Sequence, residues 1–293
     1  MNWIIDSDNK LYNYNKFLSN LQNFSKEDIA KIDEDTKQLL SNCLEPQQKF
    51  IRPTNKTGLA IGYIQSGKTS SMEALTNLAR DVGYKFIIIL SGTVGSLTRQ
   101  TKDRIYSSVN GIGWNRISIP GGGEEQLNYD LVANDIYDSL LTWENEILNN
   151  EEKRSIVIVS MKNIPRMKKI DKLLSTLNEN HNIDLLKIPT LIIDDECDHA
   201  SLDTRANQET DDHDNDSENS NFEAVYPNEN LENFSDRVGV SVDELISINN
   251  SLTHHKKDIS KFNKLRIESN ISATHKRIKN LRKYFSVNTY VGY

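Results

Sequence analysis

The octapeptide Gly62-Tyr63-Ile64-Gln65-Ser66-Gly67-Lys68-Thr69 leaves a chain few folds to choose from. Two glycines separated by four residues and followed by Lys and Thr match a phosphate-binding loop, a pattern that works between a strand and a helix. Glycines are needed because consecutive backbone N–H groups must close on an anion that side chains would keep out. The flanks supply the context: Leu59 to Ile61 reads as a short apolar strand and Thr69 to Val82 as a helix. Gly62, Gln65, Ser66, Gly67, Lys68, Thr69 and Ser70 are therefore expected to line the phosphates of a nucleotide, taken as ATP. Lys68 would reach the β- and γ-phosphates and Thr69 would meet Mg²⁺.

The same strand and helix alternation continues downstream. Tyr84 to Ser91 is a continuous apolar run of buried-strand type, Leu97 to Val109 is helical, and "PGGGEE" at 120–125 is a loop. Helix-like Tyr129 to Asn149, strand Ser155 to Ser160, helix Ile164 to Asn178 and strand Pro189 to Ile193 follow. This predicts an α/β fold, a parallel sheet with helices on both faces, whose ligand lies beyond the carboxyl ends of the strands. Ahead of it, residues 1–56 read as an N-terminal helical region, with Ser25-Lys26-Glu27-Asp28 resembling a capping box that has Asp in place of Glu. The expected organisation is a nucleotide-binding lobe at 57–205, an acidic flexible insertion at 206–236, and the rest of the lobe at 237–293 with a basic helix and a final strand.

A second chemical signal ends the last of these strands, in Leu191-Ile192-Ile193-Asp194-Asp195-Glu196-Cys197-Asp198. Carboxylates delivered by a buried strand are costly unless they meet a cation, and Mg²⁺ beside the phosphate loop would supply one. Asp195 is the expected metal-side carboxylate, with Glu196 polarising the attacking water. The other register, with Asp194 on the metal, leaves the Glu one step too far. The 127 residues from Lys68 to Asp195 leave room for three intervening strands, which suits a motor lobe better than a small nucleoside kinase.

Charge is distributed unevenly. Between Ala206 and Asp236 there are ten acidic residues and no Lys or Arg, and without those ten the net charge of -7 becomes +3. From His254 to Phe285, ten Lys and Arg against two acids give +8, a block that suits a phosphate backbone or simply a solvated helix face. The acidic window has few large apolar groups and is expected to be removable without unfolding the lobe. The longest apolar runs are strand-length, and "MNWIIDSDNK" has neither a basic leader nor an apolar core, so no membrane and a cytoplasmic location are expected. Cys43 and Cys197 are too few for a disulfide framework and read as free thiols in a reducing compartment.

Asp195 to Asp198 reads as a DEAD-type box with Cys for Ala. Together with residues 58–105, "VSMKN" at 159–163, "LIIDDECDHASLDT" at 191–204 and the terminal "TYVGY", it resembles the Z-one domain family. The resemblance implies a RecA-like lobe of a superfamily-two helicase-type ATPase that acts on nucleic acid, DNA in the first place, with partner proteins of an antiviral or restriction-like system. Thr93, Leu97 and Gln100 resemble the motif that grips the nucleic-acid backbone, with one residue of extra spacing; for Arg99 and Gln100 a helix turn facing water is the alternative. "YVGY" resembles the lead-in to a "TATP" motif. The resemblance thus places a second lobe, with the Arg that stabilises the transferring phosphoryl group, beyond Tyr293. Residues 1–293 alone are then expected to bind Mg²⁺-ATP weakly and hydrolyse it near background. A nucleotide-gated switch or scaffold that moves no DNA is the runner-up. A phosphate-loop kinase is weakened because no Arg-bearing lid follows Asp198.

Other patterns carry less. Asp212, Asp214, Asp216 and Glu223 fit four positions of a calcium loop, but Ser217 stands where its sharp turn needs Gly. Cys197 reads as a small apolar replacement for Ala, His254-His255 as a surface pair, and Glu151-Glu152-Lys153 as a polar loop rather than a nuclease site.

Overall fold

Three runs of β-branched and aliphatic residues form the middle of a parallel sheet: β2 (Phe86–Ser91), β4 (Ser155–Met161) and β5 (Thr190–Asp194) are buried at every position. Such runs, apolar on both pleats, need helices above and below. The computed structural model describes residues 3–4, 11–60, 67–92, 95–120, 127–197, 222–225, 230–238, 264–266 and 273–293, with Val242, Leu245, Ile246, Leu252, Ile259 and Phe262. The remaining strands of the sheet are β1 (Thr54–Leu59), β3 (Trp114–Ser118) and β8 (Val287–Gly292), in the spatial order β1-β8-β5-β2-β4-β3, with every pairing parallel.

The helices divide between the faces as right-handed crossovers require. On one face, α3 (Lys68–Val82) and α4 (Gly95–Ser108) cover Ile87, Ile89, Val157, Val159, Leu191, Ile193 and Val291, and α1 (Tyr12–Ser19) and α2 (Lys26–Ser41) pack outside α3. On the other lie α5 (Tyr129–Glu144), α6 (Ile164–His181) and the helix entering β8, whose Phe285 ring meets Phe86 with centroids 5.0 Å apart. Ser25 caps α2 through a reciprocal box with Asp28, whose carboxylate substitutes for that of a Glu.

The structure moves several expected boundaries. β1 begins at Thr54, inside the stretch read as helical, because it is a polar edge strand exposed from Asn55 to Leu59 that no apolar run marks. β3 is not among the expected strands, and it supplies the third strand between Lys68 and Asp195. It is an edge strand too, with Arg116 and Ser118 exposed.

The chain divides into two units, Met1–His199 with Arg277–Tyr293, and Ala200–Lys276. The N-terminal helices thus belong with the sheet, and 237–276, expected in the lobe, fall in the second unit. That unit contains β6 (Phe222–Ala224) paired antiparallel with β7 (Lys264–Arg266), and α7 (Leu231–Val238). Leu231 and Phe234 are buried against Leu245, Leu252, Ile259 and Leu265. The expectation of a flexible insertion over 206–236 is therefore corrected for its last part: Leu231 and Phe234, three apart, form an apolar helix face while Glu232 and Asn233 face water. Removing the whole window would remove two core side chains. Residues 206–221 lie outside the described residues. Among the described residues no helix is long and apolar enough to cross a membrane.

Candidate functional site

α3 is nearly encased, buried at Ser70 and from Met72 to Val82, so its N-terminus is held by packing all along its length. Its far end is pinned by Arg80, whose guanidinium donates to the carbonyls of Gly113, Asn150 and Lys153 and pairs with Asp81. Asp81 in turn accepts from Asn13 Nδ2 and the Tyr14 amide. At the near end Gly67 has φ 79°, the left-handed region that glycine enters without strain, and no side chain caps the helix. Its first-turn N–H groups thus remain available to an anion, favoured there by the helix dipole. Lys68 and Thr69 are both half-buried at this end. Ser70 and Ser71 tie it to neighbours, Ser70 Oγ accepting from Arg104 at 3.5 Å and Ser71 Oγ lying 3.1 Å from the Tyr293 hydroxyl.

The acidic end of β5 lies one strand away from β1, with β8 between them. Strand parity decides which carboxylate faces which way. Leu191 and Ile193 point to the α3 face, so Asp194 points to the opposite one, alongside Leu90 and Ser160. There Asp194 is fully buried: Lys162 Nζ lies 2.8 Å from Oδ1, and the Tyr290 hydroxyl donates to Oδ2. Asp195, the next residue, continues the ladder through its amide to the Leu90 carbonyl and turns back to the α3 side. Its carboxyl is raised above the usual range, first by burial and then by Glu196, while Lys162 and Lys68 pull it back. Lys68 and Asp195, far apart in sequence, are thus electrostatic neighbours.

Glu196 has φ 55°, one of two non-glycine residues in the left-handed region among those described. Such a conformation costs on the order of 1 kcal/mol or more and persists only when its surroundings impose it. Here they do: Lys162 Nζ donates to the Glu196 carbonyl at 2.7 Å, and the Cys197 amide donates to the Tyr293 carbonyl at 3.0 Å. The turn aims the Glu196 carboxylate over Gly92, at the end of β2, where an added Cβ would meet Oε2 well inside contact distance. Tyr290 is pushed upward by burial and by Asp194, and Tyr293 is pushed up to about 12 by burial, so both remain neutral donors.

Of the residues singled out in the sequence, Gly67, Lys68, Thr69, Ser70, Asp195 and Glu196 gather at one edge of the sheet. Gly62, Gln65, Ser66, Thr93, Asp198, the calcium-pattern residues Asp212, Asp214 and Asp216, and His254-His255 lie outside the described residues. Arg99 and Gln100 are exposed in the first turns of α4, which follows β2 at the same edge. Glu151-Glu152-Lys153 lies at the opposite edge, before β4. The basic block is partly spent on structure: Arg277 pairs with Asp171 at 2.9 Å, and Arg282 donates to Asn288 and Thr57, leaving Lys279 and Lys283 exposed. Lys162, Tyr290 and Gly92 have no role in the sequence reading, although Lys162 sits in the quoted "VSMKN". Cavities of about 390, 320 and 940 Å³ lie elsewhere, the first between α1, α3 and α4 and the others beside Lys85 at the opposite edge. Among the described residues no cluster of three His, Cys, Asp or Glu side chains could hold a metal alone.

No family model, curated protein or solved structure matches the chain.

Proposed function

We propose that this edge of the sheet binds ATP with Mg²⁺ and hydrolyses it. The observation that carries the reading is an uncapped helix N-terminus bearing Lys68 at the same end of the sheet as Asp195 and Glu196, which follow β5. Thr69 and Asp195 fit Mg²⁺, since a hydroxyl and a carboxylate are the hard oxygen donors it takes beside phosphate oxygens. When bound, the ion would neutralise charge on the β- and γ-phosphates. Lys68 and the first-turn amides of α3 hold the phosphates. Glu196 accepts the proton of a water as its oxygen attacks the γ-phosphorus and the bond to the bridging oxygen breaks, releasing ADP and phosphate.

The resemblance to the Z-one domain family, with exposed Arg99 and Gln100 at the same edge, extends the proposal to a DNA-directed motor in a defence or restriction-like system. The test is ATP turnover by the longest product of the gene, with and without DNA, beside the Lys68→Ala and Glu196→Gln variants. Lys68 contacts phosphates already in the ground state, so its loss abolishes tight binding. Glu196 acts on the water, so Glu196→Gln binds ATP and does not turn it over. Wild-type turnover by Glu196→Gln refutes the assignment, and turnover indifferent to DNA leaves a nucleotide-gated switch.

A further inference from the structure

Lys162 is one of the least expected side chains in the sheet: a lysine, 1 % exposed, just beyond the end of β4. Lysine is rarely buried unless paired, and burying an ion pair gives little net stability unless its remaining hydrogen-bonding capacity is also satisfied. Here it is put to use. β2 separates β4 from β5, and Lys162 reaches across the end of β2, where its own amide donates to the Ser91 carbonyl. Its ammonium then makes two contacts on β5 and the turn after it, the Asp194 carboxylate at 2.8 Å and the Glu196 carbonyl at 2.7 Å. From the β8 side, Tyr290 donates to the other oxygen of Asp194. Groups from β4, β5 and β8 therefore share one buried charge pair.

The position of this pair matters more than its stability. Asp194 faces away from α3, so the pair lies on the side of the sheet opposite that helix. The pair makes its hydrogen bond to the candidate site at the carbonyl of Glu196, the residue held at φ 55°, and Lys162 also acts on the Asp195 carboxyl through its charge. We propose that Lys162 is a positioning residue for Glu196, with Asp194 fixing its ammonium and Tyr290 fixing Asp194. Lys162 holds the left-handed turn that aims the Glu196 carboxylate over Gly92. The inference rests on the hydrolytic reading of Glu196 for its effect on rate, and on geometry alone for its effect on the turn.

The experiment compares, in the longest product of the gene, wild type, Lys162→Met and the double variant Lys162→Met/Asp194→Asn. The single variant leaves the Asp194 charge buried without its lysine, and is expected to melt lower and to lose turnover. The double variant leaves no buried charge, and the asparagine carbonyl can still accept from Tyr290, so its melting temperature returns toward wild type. Its kcat is expected to stay about 100-fold down with KM unmoved, the size of effect a shift of about 1 Å in a reacting group produces. Hydrogen exchange supplies a readout free of turnover: the amides of Asp195 and Cys197 are expected to exchange faster in the double variant, with β4 unchanged. A double variant that melts and turns over like wild type overturns the proposal, because Lys162 would then serve stability only. If the wild type hydrolyses no ATP, the hydrolytic reading falls separately, and unchanged exchange at 195–197 in the double variant overturns the positioning role.

Discussion

Gly92→Ala separates catalysis from stability at a single atom. The Cβ it adds would stand 3.0 Å from the Glu196 carboxyl carbon and nearer still to Oε2, where ordinary contact starts near 3.4 Å. The backbone at Gly92 is not left-handed, so alanine meets no strain of its own there. What must move is the end of a flexible side chain, and it must move by about 1 Å, which for a reacting group costs on the order of 100-fold in rate. A half-buried glutamate swings aside with little loss of packing, so the melting temperature should fall by no more than a few degrees, corresponding to about 1 kcal/mol or less. Expected, then, in the longest product of the gene are a kcat about 100-fold below wild type, an unchanged affinity for Mg²⁺-ATP by calorimetry, and a near-native melt. Should Gly92→Ala retain wild-type kcat while Glu196→Gln is inactive, the carboxylate does not act from the position over Gly92, and the geometric argument is wrong.

Three further outcomes follow from other parts of the chain. Burial raises the Glu73 carboxyl above its ordinary 4.5, with Arg104 pulling it back, so the native state holds this proton to higher pH than the unfolded chain does. Stability from this group is therefore lost as pH rises from 4.5 to the raised value and is constant above it; Glu73→Gln should abolish that part of the pH dependence in thermal melts. Phe234→Ala removes a fully buried ring from the second unit and should cost it about 3–5 kcal/mol in urea unfolding, whereas a change within about 0.5 kcal/mol would mean the 230–236 segment is not part of a core. Asn182, left-handed at φ 45° after α6, should tolerate glycine, and Asn182→Ala should lower stability by about 1 kcal/mol in the same assay.

The helix N-terminus at Lys68 was legible because its signal is local: Gly67 stands directly before a run of helical character. The buried strands were legible for a similar reason, since runs such as Phe86 to Leu90 have few other places to go. What the sequence leaves open needs partners from afar. The sequence favours Asp195 over Asp194 by its spacing to Glu196, but that Asp194 faces away from α3 follows only from pleat parity, set by the register of β5 against β2 and β8. Nothing in the sequence marks Lys162 until Asp194, 32 residues on, is folded beside it. β1 and β3 are edge strands with exposed positions, so hydrophobic periodicity barely records them. In α7 the opposite happens: the acidic composition of its surroundings hides an apolar pair at Leu231 and Phe234.

The place of β8 in the sheet bears on how the molecule is made. It is the last of the six strands in the chain, yet it lies between β1 and β5, and it is the sole neighbour of β1 among the described strands. Its pairing joins Thr54 to Val287, a closure that is slow to find and cannot begin until the second unit has been synthesised. Until then β1 has no ladder to join and β5 shows a bare edge beside its carboxylates, the kind of surface that recruits other chains or a chaperone. A ribosome-bound chain lacking Val287 onward would therefore carry both Lys68 and the acids after β5 without the strand that lies between β1 and β5, and the proposed site would stay unassembled until that strand had been made.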